Sequence, residues 1–145
     1  VVRNAPLVAI DLILADPGGR FLLGWRNNSP ASRCWFVPGG AIRKNEALDA
    51  AFSRIAFEEL SLKLERRSAG LLGVYEHFYE DNFAGADGVG THYVVLAYRC
   101  EIPHISVRAD AQHRELRWFK RDELLAEANV HPNAKAYFNA GFAGS

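Results

Sequence analysis

The segment PGGAIRKNEALDAAFSRIAFEELSL, from Pro38 to Leu62, restricts the fold of this chain more than any other. It opens on paired glycines and closes on paired glutamates, Glu58 and Glu59. Leu48, Phe52 and Ile55 lie four and three residues apart, the spacing of a helix that buries one face. The next step of that rhythm falls on Glu59, about 20° around the axis from Leu48 at ~100° per residue. Two readings of Glu59 stand side by side. Either the helix frays near Ser61 and the carboxylate reaches water at the rim, or the carboxylate is held for a cation, since an unpaired buried charge is costly. Gly39 and Gly40 are expected to end a strand just before the helix, where missing side chains permit close backbone approach. A carbonyl from that strand end and a carboxylate from the helix can converge on one hard cation. Magnesium suits such an oxygen-only, partly hydrated site when a substrate phosphate completes it. The Arg54–Glu58 pair contributes only about 0.3–0.5 kcal/mol on an exposed helix and does not account for the pattern.

The rest of the chain supplies a sheet for this helix. Leu7–Ala15 and Arg20–Arg26 read as strands joined by the turn Asp16–Gly19, where proline fixes one torsion and glycine frees the next. Asn27–Arg33 reads as a loop, and WFVPGG as a short strand stopped by Pro38, which has no N–H to give a ladder. Asn45 is the expected N-cap of the helix, which runs to about Leu60. Gly70–Glu80 and Thr91–Ile102 read as strands, and the three-glycine stretch Asp81–Gly90 between them as a mobile ligand lid. Glu115–Lys120 is a further strand, followed by short helices around Asp122–Ala126 and Pro132–Ala140. No repeat or linker interrupts residues 1–145, so the expectation is one α/β layered domain.

Composition narrows the function. Lys plus Arg (17) equals Asp plus Glu (17), which argues against a nucleic-acid binder with a strongly basic surface but leaves room for a phosphorylated small molecule held by local charge. Hydrophobic residues at 49% and charged residues at 23% fit a globular chain rather than a disordered one. The most apolar run, PLVAIDLILAD, is broken by Asp11 and is too short to span a membrane, and no signal-type segment is expected. The chain starts at Val1 rather than methionine, which leaves room for residues upstream. Cys34 and Cys100 read as free thiols of a reducing cytoplasm.

With these residues in view, GAIRKNEALDAAFSRIAFEELSL resembles the Nudix box, whose form is Gly, five residues, Glu, seven residues, Arg-Glu, an aliphatic, any residue, Glu-Glu, any residue, Gly, aliphatic. Gly40, Glu46, Arg54, Glu58, Glu59 and Leu62 match; Ile55 replaces the first glutamate of the motif's helix, Ala56 an aliphatic and Ser61 the late glycine. The wider chain is similar to the GDP-mannose mannosyl hydrolase branch, through LLGWR, WFVPGG, EHFYEDNF, THYVVL, Gln112–His113, RWF and NVHPNAKAYF. The resemblance implies a Nudix-type α/β/α sandwich with a mixed sheet and a central catalytic helix. It also implies a homodimer and a GDP-sugar substrate, GDP-mannose or GDP-glucose, whose anomeric carbon is attacked by water with inversion as GDP leaves. By the same resemblance one Mg2+, for which Mn2+ can substitute, is held by the Gly39 carbonyl, Glu59 and Gln112, with Arg26 as cationic partner and His113 as general base. Asp11 and Tyr93 carry over as contacts near the sugar and leaving group. The branch has an arginine directly after the paired glycines; here Ala41 stands there and Arg43 follows two residues on as a candidate phosphate contact.

Each assignment has a plainer competitor. His113 in a polar loop can simply face solvent, Asp11 can bond its neighbours, and Arg26 can be an ordinary strand-end charge. Glu46 and Arg54 are expected to brace the helix and the loop before it. Trp35, Trp118 and Tyr75 read as core, Arg66–Arg67 as a solvated loop, and His77, His92, His104 and His131 as surface or structural residues. Two rival functions remain: a Nudix pyrophosphohydrolase attacking phosphorus, and a non-catalytic nucleotide-sugar binding module in which Ala41 and Ile55 mark decay.

Overall fold

In the computed structural model the described residues are 5–27, 33–79, 91–103 and 115–139. Strands β1 (Leu7–Ala15) and β2 (Arg20–Arg26) keep the expected bounds. The turn between them is closed by Asp16, whose Oδ1 accepts the Arg20 N–H at 2.8 Å, and by Gly19 at φ 80°. β3 (Cys34–Phe36) and β7 (Leu116–Lys120) both pair antiparallel with β2. The long strands β5 (Gly70–Tyr79) and β6 (Thr91–Glu101) pair antiparallel with each other. β6 runs parallel to β1 along its whole length, from Leu7↔Tyr93 to Ala15↔Glu101. The sheet is therefore mixed. Gly39 and Gly40 do not end the preceding strand as expected: β3 stops at Phe36, and Gly39–Ala41 is a separate strand, β4, paired antiparallel with Ala9–Asp11. Pro38 marks the break between the two, although its carbonyl still accepts the Leu12 N–H at 2.8 Å.

Helix α1 (Leu48–Leu60) begins later than the expected cap. Asn45 sits in a left-handed turn at φ 66°, a conformation that its short side chain tolerates, and Ala47 is the N-cap. The buried face consists of Ala51, Phe52, Ile55, Ala56 and Leu60; Leu48 is exposed and Glu59 half-buried, so the stripe is rotated from the one that Leu48 suggests. The chain closes with α2 (Arg121–Ala126), α3 (Pro132–Lys135) and a 3-10 turn, Ala136–Phe138, a shorter ending than the single helix to Ala140. Arg66 is no solvated loop residue. It opens a 3-10 turn and ties it to α1 and β6 through Asp49 Oδ1 at 2.6 Å and the Tyr98 hydroxyl at 3.2 Å.

Strand alternation sorts the core into two clusters, one on each face of the sheet. Ile10, Leu12, Leu14 and Leu22 pack with the buried face of α1. Ile13, Ala15, Phe21 and Leu23 pack with Trp35, Leu124, Ala134, Tyr137 and Phe138, so the C-terminal elements cover the opposite face. Trp35 and Tyr75 belong to that second cluster and Trp118 packs against the first, as a core reading requires. Helix, sheet and helix make three layers. Among the described residues, no helix is long and apolar enough to cross a membrane.

Candidate active site

Asp11 has an odd number in a strand whose even residues face α1, so its carboxylate points to the other face, beneath the C-terminal elements. Its register partner is Gly39. A side chain on Gly39 would start in collision with Asp11 Oδ1 and 2.5 Å from the Ile10 carbonyl, so the glycine lets β4 lie directly against the acid. Around this contact opens a cavity of about 210 Å³ lined by Asp11, Arg26, Gly39, Tyr93, His77 and Tyr79 together with apolar residues that include Phe36 and Ala41. Pockets for small organic ligands span roughly 300–1,000 Å³. The cavity formed by the described residues is smaller than that range.

The electrostatics of the cavity follow from burial. Asp11 is pushed up to about 7 by loss of water, against the opposing pull of the Tyr137 hydrogen bond and the Arg26 charge. Tyr93 is raised to about 12, chiefly by burial, and so keeps its hydroxyl proton. Burial first, and the nearby His131 second, lower His77 to about 4, which leaves its ring neutral at neutral pH. The guanidinium of Arg26 lies 5.7 Å from the centre of the Phe36 ring, an aromatic support for a cation at the cavity wall.

Four of the residues read from the sequence, Asp11, Arg26, Gly39 and Tyr93, meet in this cavity. Arg43 lies outside it: the side chain is exposed and pairs with Glu58 Oε2 at 3.7 Å. Glu59 also stands apart from it, on the helix that packs against the sheet's other face. Gln112, His113 and the lid segment Asp81–Gly90 lie outside the described residues. The sequence reading gave His77 no part in the site, yet it is buried and lines the cavity. Tyr137, within the stretch NVHPNAKAYF, has no role in the sequence reading, and its hydroxyl donates to Asp11 Oδ2. One signal for His77 was available: Tyr75, His77 and Tyr79 recur at every second position of β5, which puts three ring side chains on one face.

The glycine strand lies against α1, the helix that carries the paired glutamates. The bonds from Ile42 N–H to Val8 and from Leu12 N–H to Pro38 set the β1–β4 alternation, so the carbonyls of Gly39 and Ala41 turn away from β1. The Ala41 carbonyl accepts from Arg54 Nη2 at 2.9 Å. Arg54 also grips Glu46 at 2.7 and 2.8 Å and Glu58 Oε1 at 2.9 Å, the brace expected of it. Ile55, 1% exposed, packs over Gly40, 3.3 Å from where a side chain there would begin. A half-buried carboxylate, Glu59, then follows one turn later on the same helix. Among the described residues no group of three or more His, Cys, Asp or Glu side chains is placed to hold a metal. The donor set on offer is sparse and made of oxygen, which fits a hard divalent cation with substrate and water completing its shell.

A mixed sheet between a glutamate-bearing helix and a C-terminal helical cap, with paired glycines lining the cavity, is an architecture shared with solved NUDIX proteins. The chain belongs to the NUDIX family, whose domain model matches residues 5–140. Hydrolases of this family generally work with a divalent metal ion, typically magnesium. A relative from Haloferax volcanii, the low-salt glycan biosynthesis protein Agl8, is 37% identical over 141 residues, covering 97% of this chain and 85% of its own. The MutT NUDIX hydrolase of Burkholderia pseudomallei is similar in structure at a TM-score of 0.72 and 27% identity, with 93% of this chain and 97% of that one covered. The MutT protein of Methanosarcina mazei has the same fold at a TM-score of 0.73 and 17% identity, covering 93% and 92%.

Proposed function

We propose that this protein hydrolyses a GDP-sugar, GDP-mannose or GDP-glucose, to GDP and the free hexose by attack of water at the anomeric carbon with inversion. The observation that carries the reading is the depletion of carboxylates on α1. Ile55 is apolar and buried over Gly40, and Glu58 is engaged by Arg54 and Arg43. Attack at phosphorus by a metal-generated hydroxide calls for a cluster of carboxylates, whereas easing the departure of a diphosphate calls for little more than charge neutralisation. The Agl8 relative, named for glycan biosynthesis, supports a sugar-bearing substrate.

In this mechanism Arg26 holds a phosphate of the leaving group, and Asp11 and Tyr93 bind the sugar side of the scissile bond within the cavity. His113 accepts the proton of the attacking water. Glu59, the Gly39 carbonyl and Gln112 would hold Mg2+ or Mn2+, which when bound neutralises charge on the diphosphate as it leaves. Arg43, drawn to Glu58, contributes at the outer phosphate. Ala41 lines the cavity where a larger side chain would narrow it, leaving Arg26 as the one cation on the wall among the described residues.

Hydrolysis in oxygen-18 water tests the bond cleaved. Label in the hexose is expected; label in a phosphate product assigns the chain to pyrophosphohydrolysis, and tight GDP-mannose binding with no turnover at saturating magnesium assigns it to a binding module. His113→Gln is expected to lower turnover by roughly 10²–10⁴, the scale of one positioned acid or base.

A further inference from the structure

Three buried polar groups from three separate elements form one chain of hydrogen bonds behind the cavity. The hydroxyl of Tyr137, in the C-terminal 3-10 turn, donates to Asp11 Oδ2 on β1 at 2.6 Å. The same hydroxyl lies 3.3 Å from His77 Nε2 on β5. Tyr137 is 1% exposed, His77 4% and Asp11 7%. A phenol has one proton, and here it goes to the carboxylate. When Asp11 is ionised, the His77 contact is met by the tautomer that carries its proton on Nε2 and donates it. With Asp11 ionised, the chain runs from His77 to Tyr137 to Asp11.

The hydroxyl is also held on a rigid mount. The Tyr137 ring packs edge-on against Tyr75, with centroids 4.7 Å apart, and at a tilt against His77 at 5.7 Å. The segment that carries it is pinned to β3 by bonds from Trp35 N–H to the Asn129 carbonyl at 2.8 Å and from His131 N–H to the Trp35 carbonyl at 3.1 Å. Arg121 Nε holds the Phe138 carbonyl at 2.9 Å, one residue beyond the tyrosine. Asp11 meanwhile has its other oxygen, Oδ1, directly against Gly39. With one oxygen tied to Tyr137 and the other abutting the glycine strand, the carboxylate has a single orientation toward the cavity.

We propose that Tyr137 is a positioning residue, which takes its own order from the pinned C-terminal turn and His77 and sets the direction in which Asp11 presents its carboxylate to the sugar. The proposal rests on the GDP-sugar reading for the identity of what Asp11 meets, and on the hydrogen-bond chain alone for the orientation of Asp11. A misdirected contact at the reacting end of a substrate costs far more in turnover than in binding.

Tyr137→Phe keeps the ring and removes only the hydroxyl, and it separates the two parts of the proposal. In a crystal structure of the substrate-free variant, the Asp11 carboxylate is expected to rotate or to take two orientations; an unchanged carboxylate overturns the positioning role whatever the substrate. On GDP-mannose, kcat is expected to fall ~10–10²-fold with KM changed by less than about threefold, the pattern of lost alignment rather than lost binding. In an Asp11→Asn background the same change should cost almost nothing, because its route to the substrate is gone. A full loss that persists in that background, or turnover within about twofold of the unaltered protein, overturns the proposal while the GDP-sugar reading survives. If the unaltered protein leaves GDP-mannose and GDP-glucose intact while Asp11 still turns in the variant, the substrate reading fails and Tyr137 keeps its role. Tyr137→Trp, which fills the space without a hydroxyl at that point, repeats the structural comparison should the phenylalanine variant unfold.

Discussion

At Gly39 a methyl group has nowhere to go, because Asp11 Oδ1 and the Ile10 carbonyl already occupy its place. Gly39→Ala must therefore push β4 away from β1 or turn the acid aside, and a loss of about 1–3 kcal/mol in denaturant unfolding is expected. Two other cavity residues give opposite dependences on pH. An unfolded histidine takes up its proton near 6.5, whereas His77 in the fold waits until about 4. Between those values the unfolded chain binds more protons, so this contribution is present above about pH 6.5 and is lost on acidification toward 4. Asp11 is raised to about 7, so its contribution is complete below the unfolded value near 4 and disappears as pH climbs through 7. Relative to the unaltered protein, His77→Gln should gain melting temperature on acidification, and Asp11→Asn should gain it on alkalinisation. Two flat difference curves from about pH 4 to 8 reject both assignments.

At the level of elements, α1 shows where the box departs from its pattern and what each departure does. Ser61 occupies the place of the late glycine, and it sits at the C-cap with φ 56°, its N–H on the Phe57 carbonyl at 2.8 Å. A left-handed C-terminal residue is the geometry glycine accepts without a steric penalty. Ser61→Gly should raise stability by about 1 kcal/mol, read as an upward shift in melting temperature. The start of the helix depends on Arg54 instead of a capping side chain, since Ala47 has none. Arg54 holds Glu46 at below its usual carboxylate range, about 2, mainly through their hydrogen bonds, and Glu46 Oε1 in turn accepts the Arg43 N–H at 3.0 Å. A lysine keeps the charge but lacks the fork. Arg54→Lys should accelerate hydrogen exchange at the Arg43 amide while exchange in the β1–β6 ladder stays unchanged; equal rates at Arg43 would show that the brace does not organise the loop.

For the whole molecule, the parallel pairing of β1 with β6 is the spine. It joins Leu7 to Ala15 with Tyr93 to Glu101 and puts core on both faces. Cys34 and Cys100 report on the two faces separately: both are buried thiols outside any disulfide, one in the cluster under the C-terminal elements and the other in the cluster under α1. Burial raises both thiols above the ordinary cysteine value. Neither should react with a disulfide reagent in the native protein, and both should become reactive together across a denaturant transition. If Cys34 reacts well before Cys100, the two layers do not unfold as one cooperative unit.

The sequence by itself determined what local interactions determine. β1 and β2 have the bounds their apolar runs and the Asp16–Gly19 turn predict, and the Glu46–Arg54–Glu58 brace sits where motif spacing puts it. Asp11, Arg26 and Tyr93 were legible through the family resemblance and Gly39 through the glycine pair ahead of the helix, and all four line one cavity. Tertiary structure decided the rest. Only strand pairing made Gly39–Ala41 a strand of its own, since three residues with two glycines carry no periodicity to read. Only the packing of the C-terminal turn across the sheet brought Tyr137 to Asp11, 126 positions earlier in the chain. Nothing local distinguishes that tyrosine from an ordinary core aromatic, because its hydroxyl acquires a role only when a distant carboxylate is buried beside it.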